Sequence, residues 1–447
     1  MRICLIIKKD TSSLVYLLDK GCIAVENIKR YAELLEITNR TISDVYFMLE
    51  NRMKSTYFTR GTEKMDFKDL ITFALNFVKK SLQIELDLFF KNIKGVESTM
   101  TKQAYSQARQ KISARAFITL NEAVIKWFYK DDDFKTFEGY RLSAIDGSVL
   151  ELNNSERLRN DFGYAENVTV KVARALSSGI YDIENNLMMT SKITRYATSE
   201  IELATELIEN LNELGLKNDL ILFDRGYPST KFINYLESKK IKYLMRTRRK
   251  FLKVITEATK ADQIIEVKTG DQILKIRVIK FMLDSETEEV LITNLIDENF
   301  EIMDFKKLYF KRWGIEIKFN ELKNRLQIEN FTGDTKIAVE QDFYASIYLS
   351  NMAAIAKAEA NQEVEQLNES KDLKYEYKVN TNILIGKLKD NFVMALLQNN
   401  IEKRQKMVNK IMLELQKNTI PIRPDRIYER NMELKRNKYS LNTKRCL

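Results

Sequence analysis

Two aspartates follow hydrophobic runs that have the character of buried strands. Asp146 ends a hydrophobic strand within the run 142–152 and is followed by Gly147, while Asp224 follows the apolar run 220–223. Asp224 is therefore predicted to lie at the carboxyl end of a buried strand, which is where α/β sheets tend to place ligand sites. An Asp-Gly pair is usually only a turn, so for Asp146 a turn and a catalytic carboxylate both stay open.

A third group of reactive side chains recurs with helical spacing after residue 304. Tyr309, Arg312, Glu316 and Lys323 are predicted to lie within an arc of about 60° on one helix face, at about 100° per residue. Glu321 falls about 120° from Tyr309 on this wheel and does not share the stripe. Glu316 is therefore the carboxylate of this helix that can best join two aspartates at strand ends. The alternative is an exposed helix face on which Arg312 and Glu316 form an ordinary i,i+4 ion pair.

The chain contains no histidine, which excludes Ser-His-Asp and Cys-His catalysis and histidine-ligated zinc. A metal site must then be built mainly from oxygen, which favours magnesium, manganese or calcium over zinc. Three carboxylates from separate elements suit a two-metal site for phosphodiester chemistry, in which cations also relieve the repulsion between the acids. Arg312 and Lys323 suit contacts with phosphates, and Tyr309 offers a hydroxyl or a ring face.

These motifs resemble the bacterial insertion-sequence transposases of the DDE class that carry the Y-R-E-K signature. The resemblance rests on Asp146-Gly147-Ser148, on the box at 224–227 and on the Tyr-x2-Arg-x3-Glu-x6-Lys stripe, which occur in this order. It extends from about Asp66 to the basic C-terminus and includes 106–111 and 243–246. One departure is that no tryptophan lies between Asp224 and Arg312, where some relatives carry one that stacks a flipped base during hairpin cleavage.

The resemblance implies an α/β fold with an RNase H-like mixed sheet flanked by helices, an antiparallel β insertion and helical N- and C-terminal regions. It implies cleavage of phosphodiester bonds at transposon ends and transfer of the 3' ends into target DNA, with two magnesium or manganese ions. Asp146, Asp224 and Glu316 would be the catalytic metal ligands. It also implies a homodimer that brings together two terminal inverted repeats of double-stranded DNA.

Further DNA contacts are expected on both sides of the carboxylates. By the resemblance, Tyr309, Arg312 and Lys323 would touch the transposon end. Basic residues after the second aspartate would line the DNA channel, namely Arg246, Arg248, Arg249 and Lys250.

The segment before the first aspartate has a helical pattern. Apolar residues at three-to-four spacing follow Asp66, a possible helix cap, and two more helices are predicted over 101–111 and 113–127. Arg109 and Lys111 lie there and are candidate DNA contacts of a helical DNA-binding domain. A small helical bundle with a solvated basic face is an equally good interpretation.

The later pattern predicts strands at 142–152, 169–176 and 187–193, with a turn at 177–179. A helix over 200–214, a strand over 220–223, a helix over 230–238 and a strand over 241–245 should follow, and then antiparallel strands at 264–267, 273–281 and 290–294. The predicted regions are an unassigned segment (1–60), a helical DNA-binding domain (61–135), the first part of the catalytic core (136–246), the β insertion (247–300), the second part of the core (301–360) and a helical C-terminal region with a basic tail (361–447).

The net charge of +10 favours a polyanionic partner, first of all nucleic acid. Residues 401–447 hold 13 Lys and Arg against 5 Asp and Glu, although a basic tail can also be merely solvated. Cys4, Cys22 and Cys446 form no Cys-x-x-Cys motif, so a disulfide framework is not expected. No signal peptide or membrane span is predicted, which indicates a cytoplasmic protein associated with DNA.

Two alternatives to a transposase stay open at this stage. One is a metal-dependent DNA nuclease on the same core that carries out no strand transfer. The other is a catalytically inactive DNA-binding remnant, which should have lost part of the motif set that is present here.

Overall fold

The computed structural model describes most of the chain, in two compact units. Within the described residues the smaller unit comprises 30–48 and 355–423, and the larger unit comprises 49–354. Arg249 and Lys250, two of the predicted DNA contacts, lie outside the described residues, as does most of the basic tail. The described ranges are 30–61, 63–76, 81–97, 99–131, 133–248, 251–269, 272–283, 286–296 and 299–423.

Short helices precede the sheet of the larger unit, as the sequence predicts. The side chain of Asp66 accepts a hydrogen bond from the backbone N–H of Asp69 at 2.7 Å, and Thr101 accepts one from Ala104 at 3.2 Å. Such caps satisfy the free N–H groups of a first helical turn, so both helices begin where the capping residues place them. The first elements are α1 (Arg30–Ser43), α2 (Val45–Asn51), α3 (Phe67–Ala74), α4 (Leu82–Phe89), a π-helix (Phe90–Lys94), α5 (Lys102–Arg109) and α6 (Arg115–Phe128).

In the described residues of the larger unit, nine strands form one mixed sheet. They are β1 (Arg141–Glu151), β2 (Tyr164–Glu166), β3 (Lys171–Asp182), β4 (Leu187–Arg195), β5 (Asp219–Phe223), β6 (Lys242–Arg246), β7 (Asp262–Thr269), β8 (Gln272–Met282) and β9 (Glu288–Thr293).

The centre of the sheet is parallel and both flanks are antiparallel. β1, β5 and β6 run parallel to one another, and β5 is buried along its whole length. β3 pairs antiparallel with β1, and β2 and β4 pair antiparallel with β3. On the other flank β9 pairs antiparallel with β6 and is followed by β8 and β7. The predicted fold class, an α/β fold with a mixed sheet and an antiparallel β insertion, is confirmed, and the insertion extends the core sheet through β9.

The turn predicted at 177–179 is wrong, because these residues lie inside β3. The chain reverses after Asp182, and Asn186 in the connection has a positive φ of 58°. Gly179 is needed for close packing, since a Cβ there would lie 2.4 Å from the sulfur of Met188 on β4. A run of small residues therefore marks a tight strand contact here.

Helices cover this sheet. α8 begins after Ser199, whose hydroxyl accepts from Glu202, and it buries Leu203, Leu207 and Leu211 in the larger unit. The helices that follow β1 in sequence are α7 (Glu156–Phe162), α8 (Glu200–Glu213), α9 (Thr230–Ser238), α10 (Lys253–Thr256), α11 (Ile302–Phe310), α12 (Trp313–Asn324) and α13 (Lys336–Asn368).

The smaller unit is largely helical. It contains part of α13, together with β10 (Tyr377–Val379), α14 (Thr381–Leu397), α15 (Ile401–Gln416) and β11 (Thr419–Pro421). α1, which lies in the segment that the sequence left unassigned, packs against α14 and α15. The buried guanidinium of Arg404 on α15 forms an ion pair with Glu36 on α1. Over the described part of the chain, none of the helices combines the length and the apolar character needed to cross a bilayer.

Candidate active site

Asp146 and Asp224 lie at matched positions on two parallel neighbours. The pairing of β1 with β5 ends at Ala144 and Leu222, and each aspartate lies two residues further along its chain. Asp224 follows the end of β5, as predicted. Asp146 does not end its strand, because β1 continues to Glu151 by pairing with β3. The turn interpretation of Asp146 is therefore wrong, and the expected edge of the sheet carries both carboxylates.

The helix predicted from residue 304 onward is broken where it reaches the aspartates. α11 ends at Phe310 and α12 begins at Trp313. The N–H of Arg312 donates to the carbonyl of Tyr309, a three-residue turn bond of 3.0 Å. The prediction of one continuous helix is thus wrong, although Tyr309 and Glu316 remain on either side of the break.

Arg312 connects two of the three carboxylates. Its side chain is 5% exposed. Nη2 donates to Glu316 Oε1 at 2.8 Å, and Nη1 lies 3.7 Å from Asp146 Oδ2. Its Nε is buried and finds no acceptor among the described residues. The predicted i,i+4 ion pair between Arg312 and Glu316 exists. Arg312 is buried and faces Asp146, however, so the pair does not lie on an open helix face.

The other two residues of the stripe also reach the sheet. The hydroxyl of Tyr309 lies 3.4 Å from Asp224 Oδ1, which ties the helix to the third carboxylate. Lys323 Nζ donates to the carbonyl of Val149 on β1 at 2.7 Å and lies 3.9 Å from Glu329. The structure thus brings Asp146, Asp224 and Glu316 together through Arg312 and Tyr309, and places Lys323 further along β1.

The cluster is partly buried, and its carboxylates outnumber its basic side chains. Burial raises the pKa of Asp146 to about 6, opposed by the N–H of Gly147 and by Arg312 and reinforced by Glu316 and Glu200. Burial likewise raises the pKa of Tyr309, so its hydroxyl stays protonated and can donate. A carboxylate group with this imbalance favours the binding of a cation.

The donor set fits a hard divalent cation, because every anionic group in it offers oxygen. Over the described ranges, no three His, Cys, Asp or Glu side chains are already gathered as the ligands of a single ion. The positive charge between Asp146 and Glu316 is instead the guanidinium of Arg312.

Sequence reasoning missed Glu200, the first residue of α8. Its carboxylate lies beside Gly147 and Gly226, which follow the two aspartates. In the sequence it is an ordinary acid in the first turn of an amphipathic helix, so its spacing carries no signal of the site.

The remaining predicted DNA contacts differ in their surroundings. Arg246, at the end of β6, forms an ion pair with Glu289 of β9, and Arg248 is exposed. Lys111 is half-buried, with Nζ 5.6 Å from the ring centre of Tyr57.

Arg109 is enclosed by the protein. It is 3% exposed, and its guanidinium donates to Gln341 at 2.7 Å, to Thr332 at 2.6 Å and to Asp342 at 2.6 Å. This guanidinium joins α5 to α13. The predicted DNA contact does not fit such burial, and we omit Arg109 from the proposed DNA contacts.

The region that contains the three carboxylates matches a known family model. Residues 139–352 match the family model of the transposase DDE domain. The match supports a DDE-type transposase. It spans β1, β5 and α12, which carry the three carboxylates.

Two further comparisons are less informative. The chain resembles a cryo-EM structure of the piggyBac transposase synaptic complex with hairpin DNA, with a TM-score of 0.45 and 11% identity over 88% of this chain and 86% of that one. Likeness at this level carries no conclusion about function. None of the curated proteins compared with the sequence matches it.

Proposed function

We propose that this protein is a DNA transposase that cleaves phosphodiester bonds at the ends of an insertion sequence and transfers the 3' ends into target DNA. The observation that carries the proposal is the convergence of Asp146, Asp224 and Glu316 from β1, β5 and α12 around Arg312. The buried guanidinium of Arg312 joins Glu316 and Asp146, and Tyr309 contacts Asp224. Bringing three acids from distant parts of the sequence together costs free energy unless they bind a ligand.

The carboxylates would hold two magnesium or manganese ions. Such ions, when bound, supply Lewis-acid activation of the attacking oxygen and stabilisation of the leaving oxygen. Asp146, Asp224 and Glu316 are the proposed ligands, since their oxygens are the donors that these cations prefer. Arg312 would then turn from the carboxylates toward a phosphate, for which its planar fork is well suited.

Cleavage in this proposal proceeds in two balanced steps. Water attacks the phosphorus at the transposon end, a new P–O bond forms, the bond to the 3' oxygen breaks, and that oxygen gains a proton. The freed 3' hydroxyl then attacks the phosphorus of a target phosphodiester and loses its proton. A new P–O bond joins it to the target, and the displaced 3' oxygen of the target strand leaves and gains a proton. Tyr309 and Lys323 would orient the DNA by contacts with phosphates.

The partners follow from the same proposal. Double-stranded DNA would pass the edge of the sheet near Arg246 and Arg248, with the region 61–135 as an additional DNA-binding domain. The resemblance to Y-R-E-K transposases implies that two copies bring two ends together, so the active form is proposed to be a homodimer. A cytoplasmic location in a bacterial cell is part of this proposal.

The test uses the purified full chain with DNA ends taken from inverted repeats that flank its gene. With magnesium, the protein should cut these ends and join them to a target plasmid, and Glu316→Gln should abolish both products. Glu365→Gln, which removes an exposed acid of α13, is the control and should act as wild type. If Glu316→Gln cut the DNA as well as wild type, the assignment of the active site would be wrong. If wild type cut the ends but formed no joined products, the protein would be a nuclease and not a transposase.

A further inference from the structure

A fourth carboxylate lies beside both chain segments that carry the aspartates. Glu200 is on α8, yet its Oε1 lies 2.9 Å from where a Cβ on Gly147 would stand, and its Oε2 lies 3.9 Å from the corresponding point on Gly226. Gly147 follows Asp146 directly, and Gly226 is two residues after Asp224. The two oxygens of Glu200 therefore face the backbone next to each aspartate, and Gly147 leaves the room that this approach requires.

A buried hydroxyl lies among the same acids without an acceptor. Tyr227 is 1% exposed, and its Oη finds no hydrogen-bond partner among the described residues. Burial raises the pKa of Tyr227, and the charges of Glu200, Asp146 and Asp224 raise it further, which places all three acids near this hydroxyl. A buried O–H without a partner is costly in a finished site, so the surroundings of Tyr227 are those of a site that is completed by a ligand.

The charges support the same conclusion. Asp146, Asp224, Glu316 and Glu200 bring four negative charges to a place where Arg312 supplies one positive charge. Two divalent cations would balance the four carboxylates and leave Arg312 free to meet a phosphate. With only three carboxylates the same two cations would lack one anionic partner from the protein.

We propose that Glu200 is a fourth cation ligand of the active site, acting with Asp146 and Asp224, and that the hydroxyl of Tyr227 holds this carboxylate once a cation is bound. This rests on the proposed function for the identity of the cation. The competing explanation is that Glu200 only stabilises the N-terminus of α8 through its charge.

The experiment measures binding of Mn²⁺ to the full chain without DNA, by isothermal titration calorimetry. Glu200→Gln should weaken Mn²⁺ binding by at least about tenfold or remove one bound ion, since even supporting partners of metal ligands are worth 10- to 100-fold. Glu202→Gln removes an exposed acid from the same first turn and should bind as wild type, which separates a ligand from a helix charge.

A second variant guards against misfolding of the first. Gly147→Ala places a methyl group 2.9 Å from Glu200 Oε1 and should weaken Mn²⁺ binding in the same direction while every carboxylate is retained. Equal affinity and stoichiometry in wild type, Glu200→Gln and Gly147→Ala would overturn the proposal, as would wild type that binds no Mn²⁺. If Glu200→Gln binds normally while Glu316→Gln still abolishes cleavage, Glu200 is wrongly assigned and the proposed function stands.

Discussion

Arg109 and Arg312 are buried arginines of the larger unit that both face carboxylates, and they differ in how completely their hydrogen bonds are made. Arg109 donates from Nε, Nη1 and Nη2 at 2.6 to 3.2 Å, and its partner Asp342 also accepts from the N–H and hydroxyl of Thr332. Arg312 has one close carboxylate contact, one at 3.7 Å and a buried Nε without an acceptor among the described residues. Each nitrogen of the Arg109 guanidinium thus has an acceptor, whereas the Arg312 guanidinium can still donate to a ligand.

A buried charged side chain does not by itself identify a functional site. Arg109 ends α5 and Arg312 directly precedes α12, each with other basic residues nearby in the sequence, and both were predicted to touch DNA. Arg109, whose guanidinium nitrogens each have an acceptor, holds α5 and α13 together. Removing either partner of its ion pair would leave a charge without its counter-ion. Arg312 lies among excess acid, which is costly in the protein alone and favourable once cations or phosphates arrive.

The largest effect on stability is expected from Arg109. Arg109→Met should lower the free energy of unfolding by about 3 kcal/mol, because it removes a buried guanidinium with four hydrogen bonds and leaves Asp342, whose side chain is 16% exposed, without its cation. Urea denaturation followed by circular dichroism measures this. Arg325→Met, which removes an arginine whose side chain is 43% exposed, is the control and should cost less than about 1 kcal/mol. If both variants lost the same free energy of unfolding, Arg109 would not have the structural role described here.

A smaller effect that depends on cations is expected from Arg312. Arg312→Met should cost at most about 2 kcal/mol in EDTA, because Asp146 and Glu316 are 22% and 37% exposed and keep access to water. Magnesium should raise the melting temperature of this variant more than that of wild type, since no guanidinium competes for the carboxylates. Melting of both proteins by calorimetry, with magnesium and with EDTA, gives the answer. If Arg312→Met lost as much stability as Arg109→Met and were not stabilised by magnesium, Arg312 would be a structural residue like Arg109.

The smallest effect concerns pH and a carboxylate outside the site. Asp182 at the end of β3 accepts hydrogen bonds from Tyr129 and Asn185, yet burial raises its pKa to about 6. The folded protein then binds this proton more tightly than the unfolded chain, so the stabilisation is present below about pH 4 and is lost as pH rises through 6. The difference in free energy of unfolding between wild type and Asp182→Asn should therefore shift against wild type between pH 4 and 7. A difference that does not change with pH would show that Asp182 titrates normally.

The core of the fold was readable from the sequence because each strand is an apolar run of suitable length. β5 and the strands of the insertion lie close to the predicted ranges, and α8 ends before Gly215, which has a φ of +76°. The turn predicted at 177–179 was wrong because small residues also serve close packing between strands.

The site was only partly readable, because tertiary contacts decided its details. Nothing in the periodic pattern of 302–324 signals the break before Trp313, which brings Arg312 to Asp146 and Glu316. Arg109 could not be separated from a DNA-binding arginine, since its partners lie more than 220 residues further along the chain. Glu200 was invisible for the same reason, as its proximity to Gly147 depends on the packing of α8.

The most direct test of the central claim compares two aspartates of the same sheet in a cleavage assay. Asp224→Asn should leave no measurable cutting of the terminal-repeat DNA with magnesium, while Asp182→Asn, a change of the same chemistry at a saturated structural position, should retain cutting in proportion to its folded fraction. If Asp224→Asn cuts at the wild-type rate, the carboxylates at this edge of the sheet do not form the active site.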